Sequence, residues 1–170
     1  MGETIARILL AAPASGSGKT SLTCALLEAL RRRGKHPVSF KCGPDYIDPM
    51  FHRSVQQVPS WNLDSYFTPP DMLCSLFQDH ARLGDIAVLE GVMGYYDGIR
   101  GTDGRASTYE IASLTDSPVI LVVNCQKEDE QKPTGTARLL HAQKVNPSVT
   151  AYAAPPPFTQ GRLSSCRSQP

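Results

Sequence analysis

The sequence predicts an α/β protein with a mostly parallel sheet flanked by helices. Two observations predict this fold class: short apolar runs of strand length recur through the first 125 residues, and amphipathic stretches of helical length separate them. Strands that alternate with helices favour a parallel sheet, because each helix returns the chain to the start of the next strand. The 170 residues, 41% of them hydrophobic, are enough for a single core.

The first strand and the first helix are predicted on either side of a glycine-rich loop. Residues 5–12 form an apolar run with one charge, which is typical of a strand buried on both faces of a sheet. Residues 19–33 carry leucines at helical spacing. Three arginines then precede Gly34, and cations at this position complement the dipole at a helix C-terminus.

Five further elements are predicted downstream of this helix. The pattern predicts strands at residues 36–41, 85–90 and 118–124, and helices at residues 71–83 and 108–114. The two prolines that precede the longer of these helices suit a helix start.

The chain changes character after Cys125. Residues 1–125 are predicted to form one domain, and residues 126–170 a polar, proline-rich tail whose composition is typical of disorder. A helical pattern within this tail covers residues 136–143.

Composition and charge restrict the class of partner. Seventeen Lys and Arg stand against sixteen Asp and Glu, so charge gives no reason to expect a nucleic acid or a membrane surface as a partner. The apolar run at residues 8–12 is too short for a signal peptide or a membrane span, which predicts a cytoplasmic protein. The five cysteines form no CxxC pair, so their spacing does not suggest a zinc site.

The loop at residues 12–21, APASGSGKTS, is predicted to bind phosphate. Its small residues allow backbone amides to turn toward an anion, Lys19 can reach terminal phosphates, and Thr20 can ligate magnesium. A flexible turn that contains Gly-Lys-Thr by chance is the alternative, and Pro13 stands where the usual pattern has glycine. The buried strand before the loop and the amphipathic helix after it favour a nucleotide. The predicted nucleotide-binding residues are Ser15, Gly16, Ser17, Gly18, Lys19, Thr20 and Ser21.

Acidic residues follow two of the predicted strands. Glu90 closes the third strand, and Asp45 and Asp48 follow the second strand between Pro44 and Pro49. Ligands of open α/β sheets gather at the carboxyl ends of strands, where these carboxylates could meet a magnesium ion. The alternatives are a solvated acid at a strand end for Glu90 and ordinary turn chemistry for the two aspartates.

A second glycine-rich loop, GVMGYYDG at residues 91–98, follows Glu90. It can fold compactly beside the nucleotide and bring Asp97 there, although a surface turn explains Asp97 nearly as well. His52 is a candidate acid or base, but a lone histidine of this kind is more often a structural hydrogen-bonding residue.

Four motifs together resemble a known family. SGSGKT at 15–20, FKCGPDYIDPMFH at 40–52, NLDS at 62–65 and EGVMGYYDG at 90–98 are similar to the N-terminal synthetase domain of cobyrinic acid a,c-diamide synthases. The resemblance covers about residues 5–125. It implies a P-loop NTPase-like fold, shared with dethiobiotin synthetase, and ATP-dependent amidation of the a and c acetate side chains of a corrin ring on the route to cobalamin.

The resemblance also implies roles for individual residues. It implies catalytic residues at Lys19, Asp45, Tyr46, Asp48, Glu90 and Asp97. Among the implied roles, Lys19 stabilises the transferring phosphoryl group of ATP. Thr20, Asp45 and Glu90 position Mg²⁺, and Tyr46, Asp48 and Asp97 hold the substrate carboxylate or guide ammonia.

The implied partners are a corrin polycarboxylate and ammonia. Pairing with a second copy of the chain, as a homodimer, is also open. Members of the family obtain ammonia from glutamine through a glutaminase domain, which residues 126–170 are too few to form. These residues depart from the family pattern, as a frameshift, a mispredicted gene end or a recombination would leave them. The resemblance therefore implies that the C-terminal part of the sheet is incomplete.

The sequence also leaves other functions open. Nickel-sirohydrochlorin a,c-diamide synthase shares these motifs. A partitioning-type ATPase usually has a second lysine early in its phosphate loop, whereas residues 13–15 are Pro-Ala-Ser here. A nucleotide-binding fragment without catalysis is a further alternative. Cobyric acid synthase is disfavoured because its motifs lack GPDYIDP.

Overall fold

The computed structural model describes residues 5–99 and 104–124, together with the backbone of residues 150–154. The elements, in chain order, are β1 (Ala6–Ala11), α1 (Lys19–Arg32), β2 (Pro37–Cys42), α2 (Ile47–Ser54), β3 (Ser60–Leu63), α3 (Pro70–Ala81), β4 (Ile86–Glu90), α4 (Thr108–Leu114), β5 (Val119–Val123) and β6 (Thr150–Ala154).

The strands form one mostly parallel sheet in the order β3-β2-β4-β1-β5-β6. The first five strands pair in parallel, and β6 adds to the β5 edge in the antiparallel direction. The predicted fold class is therefore confirmed. In the sheet register, Glu90 of β4 lies opposite Lys41 of β2 on one side and Leu10 of β1 on the other. This register aligns the carboxyl ends of the three central strands.

Hydrophobic clusters pack on both faces of the sheet. One cluster contains Leu9 and Phe40 together with Phe77 of α3, and the other contains Leu10 together with Leu27 of α1. Leu9 and Leu10 fall into different clusters because successive side chains of a strand point to opposite faces. The central strands are thus buried on both sides, as the unbroken apolar runs predict.

Three observed elements were not predicted. Helix α2 begins within the Asp-Pro segment, and its Pro49 occupies the first turn, where proline is tolerated. Strand β3 has only four residues, and β6 lies within the segment predicted as a tail. The described residues therefore form six strands where the sequence predicts four. The predicted helix at residues 136–143 lies outside the described residues.

The helices of the described residues are short or amphipathic. None of them combines the length and the apolar character that crossing a bilayer requires.

Candidate functional site

Three loops meet at the carboxyl edge of the sheet. They follow β1 at residues 12–18, β2 at residues 43–46 and β4 at residues 91–98. The amide of Tyr95 donates to the carbonyl of Ala12 at 2.8 Å, which joins the first loop to the third. These loops contain most of the residues that the sequence singles out, so the predicted motifs converge on one edge.

The loop after β1 turns through two glycines with left-handed backbone angles. Gly16 has φ 74° and Gly18 has φ 89°, a region in which other residues are strained. Gly18 is the N-cap of α1 and has no side chain that could accept a hydrogen bond from the first helical amides. Helix N-termini of this kind bind phosphate well, because their amide groups and dipole attract anions.

Lys19 connects this loop to the loop after β4. Its Nζ donates to the carbonyl of Met93 at 2.6 Å and approaches the carbonyl of Ala14 at 3.4 Å. The side chain is buried, with 8% of the residue exposed. Burial lowers the pKa of Lys19, and the neighbouring charge of Lys41 lowers it further.

The hydroxyl of Thr20 and the carboxylate of Glu90 are in direct contact. Thr20 Oγ1 donates to Glu90 Oε1 at 2.5 Å, which joins the start of α1 to the end of β4. The same oxygen accepts a hydrogen bond from Lys41 Nζ at 2.7 Å. Lys41 Nζ also donates to Asp48 Oδ2 at 2.6 Å and lies 3.7 Å from Asp45 Oδ2. The structure thus brings four predicted residues together around Lys41, namely Thr20, Asp45, Asp48 and Glu90.

Lys41 was missed by the sequence reasoning. Burial disfavours its charged form, but the Glu90 carboxylate and the hydrogen bonds to Asp48 and Glu90 outweigh burial and raise the pKa of Lys41. The signal that could have found it is a charged residue near the end of β2, a strand in which all six residues are buried. A buried lysine needs a partner, and Glu90 at the matching strand end was available.

The buried carboxylate of Glu90 fits a magnesium ion. Glu90 is 1% exposed, and its Oε2 atom lacks a hydrogen-bond partner in the described structure. An unpaired buried carboxylate oxygen is costly, and a divalent cation with oxygen ligands would satisfy it. Within the described ranges, no group of three or more His, Cys, Asp or Glu residues is arranged to hold a metal ion. Magnesium often uses only one or two protein ligands and takes the rest from phosphates and water.

The loop after β2 is fixed by backbone and side-chain contacts. Asp45 Oδ1 accepts from the amides of Ile47 at 3.0 Å and Asp48 at 3.5 Å, so this carboxylate also caps α2. Asn62, from the NLDS motif, donates its amide to the carbonyls of Gly43 and Asp45. Tyr46 is 76% exposed, so its ring projects from the site rather than joining the lysine cluster.

The loop after β4 is braced by Asp97. Its Oδ2 accepts from the amide of Gly94 at 2.8 Å, within the loop that offers the Met93 carbonyl to Lys19. Asp97 therefore contributes to the shape of the loop and to the field at Lys19, whose pKa its charge raises in opposition to burial and Lys41.

The remaining predicted residues lie around this centre. Ser17 Oγ donates to the Ala14 carbonyl at 2.9 Å within the phosphate loop. Ser15, in the middle of this loop, and Ser21, in the first turn of α1, are exposed. His52 is buried and pairs with Gln56 at 2.7 Å, while Gln56 donates to a carbonyl of α1. His52 thus has the structural role that the sequence favoured.

Comparison with known proteins agrees with this geometry. The CbiA family model, described as CobQ/CobB/MinD/ParA nucleotide binding domain, matches residues 8–144. The chain belongs to this family. Membership in a family of nucleotide-binding domains agrees with a phosphate loop between β1 and α1.

Relatives within the family are similar over most of this chain. The cobyrinate a,c-diamide synthase of Listeria innocua is 52% identical over 120 residues, which are 69% of this chain and 26% of that protein. The hydrogenobyrinate a,c-diamide synthase of Streptomyces coelicolor is 43% identical over 140 residues, which are 82% of this chain and 28% of that protein. The predicted resemblance is confirmed, and the chain spans about a quarter of the length of these relatives.

Proposed function

We propose that the chain uses ATP to amidate the a and c acetate carboxylates of cobyrinic acid, a step of cobalamin biosynthesis. The observation that carries the proposal is the contact of the phosphate-loop residue Thr20 with the buried carboxylate of Glu90. The similarity to relatives named for a,c-diamide synthesis supports the choice of substrate.

The proposed chemistry has two steps. A carboxylate does not react with ammonia directly, because its leaving group would be an oxide. One carboxylate oxygen of the substrate therefore attacks the γ-phosphorus of ATP, and ADP leaves. Ammonia then attacks the carbon of the acyl phosphate, loses a proton, and inorganic phosphate leaves with the oxygen that came from the carboxylate. Each amide consumes one ATP.

The phosphate loop is proposed to stabilise the charge of the transferring group. The amides at the start of α1 and the ammonium of Lys19 supply positive charge, and most of the catalysis of phosphoryl transfer comes from positioning and electrostatics. The carbonyls of Met93 and Ala14 hold Lys19 in place before the nucleotide binds. These contacts position the Lys19 side chain between the loop after β1 and the loop after β4.

Thr20 and Glu90, with Asp45 nearby, would hold Mg²⁺ in this proposal. When bound, the ion would neutralise charge on the β- and γ-phosphates. Asp48, Tyr46 and Asp97 are proposed to hold the substrate carboxylate or to guide ammonia. The exposure of Tyr46 leaves its ring free to contact a large ligand.

Ammonia is proposed to come from solution or from a glutaminase, and the proposed setting is the cytoplasm. The family resemblance supports the choice of ammonia source.

The test is an isotope-transfer assay with the purified chain, Mg-ATP, ammonium chloride and cobyrinic acid labelled with ¹⁸O in its carboxylates. The expected result is the diamide, with one ¹⁸O atom appearing in inorganic phosphate for each amide formed. Hydrogenobyrinic acid and nickel-sirohydrochlorin are tested in parallel as alternative substrates. Amide formation without label in phosphate would contradict the acyl-phosphate route. ATP binding without any amide would instead support the non-catalytic alternative.

A further inference from the structure

Lys41 lies at the centre of the acidic residues of the site. Its nitrogen is 2.6 Å from Asp48 Oδ2, 2.7 Å from Glu90 Oε1 and 3.7 Å from Asp45 Oδ2. Only 7% of the lysine side chain is exposed. The ammonium is therefore a counter-ion for all three carboxylates, and solvent screening is weakest at Glu90, whose side chain is 1% exposed.

Glu90 depends on this ammonium. Its Oε1 accepts from both Thr20 and Lys41, while Oε2 has no partner in the described structure. Removing one member of a buried ion pair leaves an uncompensated charge, which is strongly destabilising. Lys41 thus stabilises a carboxylate that would otherwise repel its acidic neighbours.

The same ammonium opposes a divalent cation. Thr20 and Lys41 donate to the same oxygen, Glu90 Oε1, so an ion held by Thr20 and Glu90 would share this carboxylate with the Lys41 ammonium. Two positive charges that share one buried carboxylate repel each other. The negative charge of nucleotide phosphates would offset the repulsion.

We propose that Lys41 is a resident cation, which holds Asp48 and Glu90 in place and opposes metal binding until nucleotide phosphates arrive with the metal. The proposal rests on the proposed nucleotide site. It makes Lys41 a positioning residue that couples metal binding to nucleotide binding, so that free magnesium does not fill the site alone.

The test measures Mn²⁺ binding without nucleotide, using the electron paramagnetic resonance signal of free Mn²⁺. Wild type, Lys41→Met and Lys35→Met are compared, since Lys35 is exposed and serves as the matched control. We expect Lys41→Met to bind Mn²⁺ at least about tenfold more tightly than wild type, because a positive charge has been removed from the site. Lys35→Met is expected to match wild type. Equal affinity in all three proteins would overturn the proposal.

Thermal unfolding covers the case in which Lys41→Met folds poorly. The proposal predicts that Mn²⁺ raises the Tm of Lys41→Met more than that of wild type, because the metal replaces the lost ammonium. It also predicts partial recovery when Glu90→Gln is added to Lys41→Met, because both charges are then removed. A folding defect that neither Mn²⁺ nor the second substitution relieves would contradict the resident-cation role.

ATP binding, measured separately by calorimetry in the presence of magnesium, distinguishes the two proposals. If wild type binds Mg-ATP but Lys41→Met gains no Mn²⁺ affinity, the Lys41 inference is overturned and the proposed function is not. Wild type that does not bind Mg-ATP would overturn the proposed function, whatever the Mn²⁺ result.

Discussion

Gly94 shows at the scale of one residue how tightly the loops of the site are packed. A Cβ atom placed on Gly94 would lie 2.6 Å from the Asp97 Oδ2 atom and 2.6 Å from the Pro13 carbonyl oxygen. The second contact is with backbone of the phosphate loop, which cannot move aside as a flexible side chain can. Glycine is therefore required here for close approach of the two loops.

Gly94→Ala is expected to lower the free energy of unfolding by about 1–3 kcal/mol, the usual range for overpacking. It should also weaken Mg-ATP binding, since the substitution displaces the loop that offers the Met93 carbonyl to Lys19. Urea denaturation and calorimetry measure the two effects. Gly104→Ala is the control, because its Cβ would meet only ordinary contacts at 3.7 and 3.8 Å. Equal losses of stability and of Mg-ATP affinity in the two variants would show that the close approach of Gly94 to the Pro13 carbonyl does not hold the loops together.

At the scale of elements, α4 supports the loop after β4. Thr108, at the first position of α4, donates its hydroxyl to the Val92 carbonyl at 2.9 Å and accepts from the Val92 amide at 3.0 Å. Ser107 caps the helix, since its hydroxyl oxygen accepts from the Glu110 amide at 3.2 Å. The Glu110 carboxylate in turn accepts from the amide of Ala106 and the hydroxyl of Ser65. The helix start is thus a small hydrogen-bonded unit beside the site.

Ser107→Ala is expected to cost about 1 kcal/mol in the free energy of unfolding, the typical cost of losing an N-cap. Its hydroxyl also donates to the Gly104 carbonyl at 2.6 Å, and this hydrogen bond is lost together with the cap. Urea denaturation monitored by circular dichroism measures the loss. Ser113→Ala, which removes a hydroxyl that donates back to the Tyr109 carbonyl within the same helix, is the matched control and should cost less. Equal losses would argue against the capping role.

The sequence predicted those elements whose pattern is continuous. The strands β1, β2, β4 and β5 and the helices α1, α3 and α4 lie within two residues of their predicted bounds, because buried runs and helical spacing are visible in the chain itself. Helix α2 was missed because Asp and Pro near its start are equally typical of a turn. Strand β3 was missed because four residues carry little periodicity.

The sequence predicted individual residues of the candidate site but not the contacts between them. Lys19, Thr20 and Glu90 are recognisable because the phosphate-loop motif and the strand end identify them. The central position of Lys41 depends on the pairing of β2 with β4, in which Lys41 lies opposite Glu90. Register between strands that are far apart in the chain cannot be read from local pattern. The charge near the end of a buried strand could therefore mark Lys41 as needing a partner, but it could not show which carboxylates surround it.

At the scale of the whole molecule, the strand order explains why the site and the core depend on one another. Strands β2, β4 and β1 are neighbours in the sheet, so the loops after them meet at one edge. The same strands carry Phe40 and Leu89 into the core immediately before Lys41 and Glu90. A ligand that binds this edge should therefore stabilise the sheet as a unit.

The most direct test of this account is the thermal unfolding of the purified chain with and without saturating Mg-ATP, with Lys19→Ala measured in parallel. A ligand that binds only the folded state at about 100 times its Kd adds about 2.7 kcal/mol to stability. We predict one cooperative transition that Mg-ATP moves upward in the wild type and leaves unmoved in Lys19→Ala. A wild-type transition that Mg-ATP does not move, or an equal shift in both proteins, would contradict a nucleotide site built on Lys19.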